Sequence, residues 1–198
     1  MRIVAGKWGG RTIRAPRGTF VRPTTDRVRE AVFAILGEDV KGSVVLDLFA
    51  GTGAMAIESL SRGAAGAVLV ESSPIALNAL RANLAALEAK GALCLPLDYR
   101  EAVRRLSAKG KTFDLVFLDP PYGKGLVGLS AGLLSRAGIL APGAVVVAER
   151  ASRDPEETLP PEWRERVGRR YGDTRITLYY IPDPRGQAPT GGRKQENR

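Results

Sequence analysis

Residues 43–58, "SVVLDLFAGTGAMAIE", combine an apolar strand, a glycine turn and the start of a helix. The run at 43–49 is almost continuously apolar, which is typical of a strand buried on both faces of a sheet. Gly51 and Gly53 let the backbone turn sharply, and the first turn of the following helix offers free N–H groups to a ligand. This order of elements opens many nucleotide-binding sheets. The stretch therefore predicts an α/β fold with a ligand site at the glycine turn.

Strands and helices alternate after this stretch, and such alternation forms a parallel sheet covered on both faces. The segment 163–181 instead predicts two strands joined by a tight turn at "GD", which would pair antiparallel. The sequence thus predicts a mostly parallel seven-stranded sheet with an antiparallel C-terminal hairpin. The other predicted strands lie at 43–49, 66–71, 92–98, 113–119 and 143–150, and the predicted helices at 54–63, 73–91, 99–110 and 125–140.

The N-terminal segment has a different pattern. "MRIVAG" and "RTIRAP" flank Gly9-Gly10 and predict a small β-hairpin. A helix is predicted next, capped by Thr25 or Asp26 and ending at Gly37, with an apolar stripe at helical spacing. We therefore predict three parts: an extension at 1–40, an α/β domain at 41–182, and a Gly/Pro/polar tail at 183–198 that is disordered.

Charge and composition limit the function classes. The net charge is +9, and residues 1–30 hold eight Lys or Arg against two acids, which favours a nucleic-acid partner for the extension. Histidine is absent, which excludes His-dependent triads and argues against a catalytic zinc ion, so we expect no metal. A single cysteine and the lack of a long apolar run predict a cytoplasmic protein without a membrane span.

Four acids follow four successive predicted strands: Asp47, Glu71, Asp98 and Asp119. Because ligands bind at the carboxyl edge of such sheets, these side chains would line one site. Asp47 would repel a pyrophosphate but hold an ammonium, Glu71 could accept from ribose hydroxyls, and Asp98 could accept from an adenine amine. The set fits S-adenosylmethionine (SAM) better than a dinucleotide, although the glycine spacing, with Ala56 third, also permits a dinucleotide.

The motif "DPPY" at 119–122 follows the fourth predicted strand. Exocyclic base amines are poor nucleophiles, and a catalyst can help by accepting hydrogen bonds from both N–H groups. The Asp119 carboxylate and the rigidly held Pro120 carbonyl are suitable acceptors, and Tyr122 offers a face for the base. The pattern predicts methyl transfer to a nucleobase amine.

The order "DLFAGTG", Glu71, Asp98 and "DPPY" resembles the amino-group methyltransferases of nucleic acids. Within these, "RIVAGKWGGRTI", "RPTTDRVREAVFAIL" and "YGDTRITLY" resemble the RsmD family of 16S rRNA guanine-N2 methyltransferases over about residues 1–181. The resemblance implies a Rossmann-like SAM-dependent methyltransferase fold. It also implies methylation of the N2 amine of one guanine in 16S rRNA, within assembled or partly assembled 30S particles. We expect a monomer that releases S-adenosylhomocysteine (SAH).

The resemblance also implies roles for individual residues. The target amine would meet Asp119, Pro120, Pro121 and Tyr122. Cofactor-binding residues would be Asp47, Ala50, Gly51, Thr52, Gly53, Glu71, Ser72, Asp98 and Tyr99, and RNA-binding residues would be Lys7, Arg11, Arg14, Arg22, Thr24 and Arg27, with Arg17 and Arg29 as further candidates.

Three alternatives remain open from the sequence. A DNA or RNA adenine-N6 methyltransferase would use "DPPY" equally well. A dinucleotide-dependent oxidoreductase would fit the glycine turn, and a non-catalytic RNA-binding protein would fit the basic extension.

Overall fold

A computed structural model describes residues 1–15 and 26–183. The strands are β1 (Val44–Asp47), β2 (Gly66–Val70), β3 (Ala92–Leu95), β4 (Phe113–Leu118), β5 (Leu140–Ala151), β6 (Arg164–Tyr171) and β7 (Thr174–Tyr180). These seven strands form one sheet in the order β3-β2-β1-β4-β5-β7-β6. The first five strands pair in parallel, and β7 lies antiparallel between β5 and β6. The predicted sheet and its terminal hairpin are therefore confirmed.

The helices cover both faces of the sheet. Along β1, Val45 packs into one apolar cluster and Leu46 into the other, because successive strand side chains point to opposite faces. The five α-helices of the described residues are α1 (Asp26–Leu36), α2 (Ala54–Ser61), α3 (Pro74–Ala86), α4 (Tyr99–Ala108) and α5 (Leu126–Ala137). The first cluster includes α1, α2 and α3, and the second includes α4 and α5.

Several predicted strand bounds differ in the structure, and the first strand already ends at Asp47 rather than at residue 49. The third strand ends at Leu95 and not at Asp98, since Pro96 cannot donate a ladder hydrogen bond. Asp98 is instead the N-cap of α4 and accepts from the backbone N–H of Arg100 at 2.9 Å. The fifth strand is longer than predicted, from Leu140 to Ala151, and its end lies beside β7.

The N-terminal segment forms a short hairpin with a single antiparallel bridge, Arg2 to Thr12. Two backbone hydrogen bonds of 2.9 Å flank that bridge, from Ile3 to Arg11 and from Ile13 to Met1. Ile3 and Ile13 are fully buried in the first apolar cluster. The hairpin therefore packs on the α/β domain through its own apolar side chains.

Glu58, on α2, binds the hairpin. This side chain is fully buried, and its carboxylate accepts from the backbone N–H groups of Val4 at 2.8 Å and Ala5 at 3.0 Å. Arg62 and Arg29 neutralise its charge at 2.7 Å and 3.4 Å. Buried charges occur in this way, paired and hydrogen-bonded.

No helix in the ranges 1–15 and 26–183 is long and apolar enough to cross a membrane. The predicted disordered tail lies outside the described residues except for Asp183.

Candidate active site

The glycine loop joins β1 to α2. Gly53 has a φ of +85°, and a Cβ there would lie 2.5 Å from the Cδ1 atom of Leu80, so only glycine fits without displacement. The loop is tied to its neighbours by a hydrogen bond from Gly53 to Ala50 (2.7 Å) and another from Ala50 to Val70 (2.9 Å). The cofactor loop predicted from the sequence thus lies at the carboxyl edge of the sheet, between β1 and β2.

Two carboxylates accept hydrogen bonds from backbone N–H groups of this loop and of the helix that follows it. Glu71 follows β2 and accepts from the backbone of Gly51 at 2.8 Å and of Ser73 at 2.6 Å. Asp47 ends β1 and accepts from the backbone of Ala56 at 3.3 Å. In a dinucleotide fold the N–H groups at this position bind pyrophosphate. Here carboxylates face the loop, which favours a cationic ligand.

Asp47 is 2% exposed. Burial raises its pKa to about 7, and the charge of Glu71 adds to the increase, while hydrogen bonds from the Ala56 and Phe49 backbones oppose it. A buried carboxylate in this state gains from a cationic partner, because the partner offsets the cost of its ionisation. An ammonium group is such a partner.

A cleft of about 300 Å³ extends from Glu71 toward β4. Phe49 and Tyr99 form an aromatic pair in its lining, with ring centroids 5.3 Å apart. The size and the mixed apolar and acidic lining suit a nucleoside. Four of the predicted cofactor residues line this cleft: Glu71, Ser72, Asp98 and Tyr99. Pro121 of the "DPPY" motif also lines it, as do residues that were not predicted: Phe49, Leu97, Lys124 and Leu126.

Asp119 and Tyr122 lie at the same edge of the sheet, directly after β4. The pKa of Asp119 is raised well above its ordinary value, first by burial and then by the nearby carboxylates of Glu149 and Asp47. The hydroxyl of Tyr122 donates to Glu149 at 2.6 Å and lies 3.3 Å from the hydroxyl of Thr174. Asp119 therefore lies between Asp47 of β1 and Glu149 of β5.

Pro121 and Tyr122 both line a small depression beside the cleft, next to Glu149. Pro121 also lines the cleft itself. Burial and the hydrogen bond to Glu149 raise the pKa of Tyr122. The phenol thus stays neutral and donates a hydrogen bond at physiological pH.

The predicted RNA-binding residues are partly described. Arg11, Arg14 and Arg27 are exposed, and Arg11 also donates to the carbonyl of Ala86 at 2.5 Å. Lys7 is exposed, with its ammonium 4.2 Å from the centre of the Trp8 ring. Arg17, Arg22 and Thr24 lie outside the described residues.

The prediction that Arg29 binds RNA is wrong, because its side chain is fully buried and cannot reach a phosphate. It donates to the carbonyl of Arg2, contacts Asp26 at 3.0 Å and pairs with Glu58. Its position on the inner face of α1, among apolar neighbours, decides this role. Trp8 is 8% exposed and packs in the first apolar cluster.

Sequence reasoning missed Asn83, which joins the extension to the glycine loop. This α3 side chain is 3% exposed. Its oxygen accepts from the backbone of Arg14 at 2.9 Å, and its nitrogen donates to the carbonyls of Arg14 and Thr52, both at 3.0 Å. A polar residue on the otherwise apolar face of a helix was the available signal.

Comparisons with known proteins identify the family of this chain. The model of the family described as "Conserved hypothetical protein 95" matches residues 1–180. The Escherichia coli ribosomal RNA small subunit methyltransferase D is 39% identical over 90% of this chain and 89% of its own. A putative rRNA methyltransferase of Bacillus subtilis is 34% identical over 90% of this chain and 98% of its own.

A solved structure shares the whole fold. A putative methyltransferase from Escherichia coli superposes with a TM-score of 0.83 and 36% identity, covering 92% of this chain and 98% of the other. The chain belongs to the RsmD-type family of methyltransferases.

Proposed function

We propose that this protein transfers a methyl group from SAM to the exocyclic N2 amine of a guanine in 16S rRNA. The observation that carries the proposal is the position of "DPPY", which follows β4 beside an acid-lined glycine loop. The 39% sequence identity to a small-subunit rRNA methyltransferase, over 90% of this chain, supports RNA as the substrate.

The acids around the loop fit the groups of SAM. Asp47, buried and close to Glu71, would hold the ammonium of the methionyl part. Glu71 keeps lone pairs on both carboxylate oxygens beyond the two backbone hydrogen bonds that it accepts, and these can accept from ribose hydroxyls. Asp98 is exposed at the rim of the cleft and would accept from the adenine amine.

When bound, SAM supplies an electrophilic methyl carbon attached to a sulfonium. Asp119 and the Pro120 carbonyl would accept hydrogen bonds from the two N–H groups of the guanine amine and align its nitrogen with that carbon. The nitrogen lone pair forms the new N–C bond while the S–C pair stays on sulfur, leaving SAH. The positive charge that develops on nitrogen is stabilised by Asp119, whose raised pKa also suits it to accept the departing proton.

The exposed basic residues of the extension would bind the RNA backbone. Arg11, Arg14 and Arg27 present full charges, and phosphate contacts of this kind give salt-dependent affinity. We expect Arg11→Ala with Arg14→Ala to raise the KM for RNA, while Lys109→Ala, at the far end of α4, should leave it unchanged. An unchanged KM in the double variant would remove the extension from the interface.

We further propose that the substrate is an assembled or partly assembled small subunit and that the enzyme acts in the cytoplasm as a monomer. Mass spectrometry of nucleosides is the direct test, after incubation of unmodified small subunits, free 16S rRNA or DNA with SAM. N2-methylguanosine from the rRNA of small subunits is the expected product. N6-methyladenine would establish the adenine alternative instead.

Asp119→Ala separates catalysis from binding. We expect it to abolish methyl transfer while SAH still raises the melting temperature. Asp119 would contact the guanine amine, whereas the cofactor would be held by Asp47, Glu71 and Asp98. Stabilisation by NAD in place of SAH would favour the oxidoreductase alternative. Full turnover in Asp119→Ala would contradict the proposed mechanism.

A further inference from the structure

Glu149 lies against the "DPPY" segment without being part of it. In the parallel register of β4 and β5, Leu118 pairs with Ala148, so the next residue of each strand, Asp119 and Glu149, follows at the same edge. The Glu149 carboxylate accepts the hydroxyl hydrogen of Tyr122 at 2.6 Å. This contact joins β5 to the segment that would hold the target base.

We propose that Glu149 is a positioning residue of the methyl transfer, which fixes the Tyr122 ring through its hydroxyl and acts by its charge on the neighbouring Asp119. This inference rests on the proposed function, since it assigns Tyr122 and Asp119 to the target amine. It adds a residue that neither the "DPPY" motif nor the glycine loop contains.

The positioning argument starts from the Tyr122 hydroxyl. A phenol has one O–H, and a carboxylate acceptor at 2.6 Å makes the shorter, stronger class of hydrogen bond. The hydroxyl of Thr174, which is 6% exposed on β7, lies 3.3 Å from the same oxygen. With its hydroxyl held by two strands, the ring keeps one orientation. A fixed ring is a better platform for a base than a mobile one, because less freedom is lost on binding.

The charge argument concerns Asp119. Acidic groups approach it from two sides: Asp47 from β1 and Glu149 from β5. Tyr122 in its own loop is neutral. Like charges disfavour ionisation of Asp119, so removing the charge of Glu149 should let it ionise at lower pH. Methyl transfer that needs ionised Asp119 would then persist to lower pH.

Three variants separate the two roles. Glu149→Gln keeps an oxygen that can accept from Tyr122 but removes the charge. Tyr122→Phe removes the donor and keeps the charge. Glu149→Ala removes both effects.

Kinetics against pH test the inference with whichever polynucleotide the wild type methylates. We expect Glu149→Ala to lower kcat/KM for the polynucleotide tenfold or more, with SAH affinity within twofold of wild type. Combining Glu149→Ala with Tyr122→Phe should cost little more than the worse single variant, since one acts through the other. Glu149→Gln should move the acidic limb of the kcat profile to lower pH. Losses that multiply in the double variant, or a limb that stays in place, would overturn the proposal.

A measurement without turnover keeps the two proposals apart. The chain has five tyrosines, so ¹³C-tyrosine labelling gives five Cζ signals, and the one missing in Tyr122→Phe belongs to Tyr122. That signal should shift in Glu149→Ala, because the phenol loses the carboxylate that accepts its hydrogen. An unshifted signal would overturn the role of Glu149 even if rRNA is methylated. A shifted signal in a protein that methylates only DNA would uphold the positioning role and reject the proposed substrate.

Discussion

Replacing Asp47 with asparagine should stabilise the fold at neutral pH and destroy cofactor binding. Asp47 is 2% exposed, and its Oδ2 atom accepts from the backbone of Ala56 at 3.3 Å. Asparagine has nearly the same shape and can keep this acceptor, but it cannot ionise. Asp47→Asn therefore isolates the effect of one buried charge.

The magnitude follows from the pKa of Asp47, which is about 7 in the folded chain against an ordinary 3.8. Between these values the folded state binds a proton that the unfolded chain has released. The free energy of unfolding therefore falls as pH rises through this range, and above pH 7 the loss is complete at about 4 kcal/mol, from 1.36 kcal/mol per pKa unit. About 2.5 kcal/mol of this loss falls between pH 5 and pH 8. Because asparagine does not titrate, Asp47→Asn should gain that amount over wild type across the same interval.

Urea unfolding of both proteins at pH 5 and pH 8 measures this difference, and the other carboxylates cancel in the comparison. A stability gap that is constant to within about 0.5 kcal/mol would refute the reasoning, as this is the usual limit of additivity. Calorimetry with SAH tests the functional half. Wild-type affinity should rise between pH 6 and pH 8 as Asp47 ionises, while Asp47→Asn should bind weakly at all pH values. Equal affinity in the two proteins would show that Asp47 does not hold the ammonium.

Four further variants test how the extension is attached. Glu58→Ala leaves two backbone N–H groups without their acceptor and removes one of the two carboxylates that pair with the buried Arg29, so it should lower the free energy of unfolding by about 3–5 kcal/mol in urea. A loss below about 1 kcal/mol would contradict the buried network. Asn83→Ala removes the hydrogen bond to the glycine loop and should weaken SAH binding about tenfold by calorimetry, equivalent to about 1.4 kcal/mol. Unchanged affinity would show that cofactor binding does not depend on this link between the loop and the extension. Gly6→Ala and Gly10→Ala place alanine at similar φ values of +82° and +81°, but only at Gly6 would the Cβ collide, 1.9 Å from a backbone oxygen of α2. Gly6→Ala should therefore raise the KM for RNA above that of Gly10→Ala. Equal KM values would contradict the docking of the hairpin on α2.

The sequence predicts the sheet well because each strand is decided locally. In β1 and β4 all residues but one are apolar, so no tertiary contact is needed to recognise these strands. The hairpin of β6 and β7 turns at Gly172 and Asp173, the "GD" that predicted it. The ends of strands are less certain, as Asp98 shows: a proline in the run ended β3 early, and the acid became a helix cap.

The roles of single charged residues could not be predicted in this way. Arg29 has the composition of a phosphate ligand, and its burial depends on Glu58, which is 29 residues away in sequence. Glu149 likewise acquires its neighbours from β4 and β7, whose register is a property of the assembled sheet. Long-range pairings of this kind leave no periodic signal in a single chain. A motif such as "DPPY" can be recognised in a single sequence because its residues are contiguous. The residues that support it are distant in sequence and cannot be recognised in this way.

The attachment of the extension has a consequence for the whole site. Helix α2 begins at the glycine loop, and the same helix carries Glu58 and Ser61, which accept hydrogen bonds from hairpin backbone groups. Asn83 adds a second connection, between Arg14 and Thr52. The proposed RNA-binding and cofactor-binding parts therefore share one short helix and one buried amide. Any shift of the loop on cofactor binding must then be transmitted to the extension or break these bonds, so the affinities for cofactor and RNA should depend on each other, reciprocally and by the same factor.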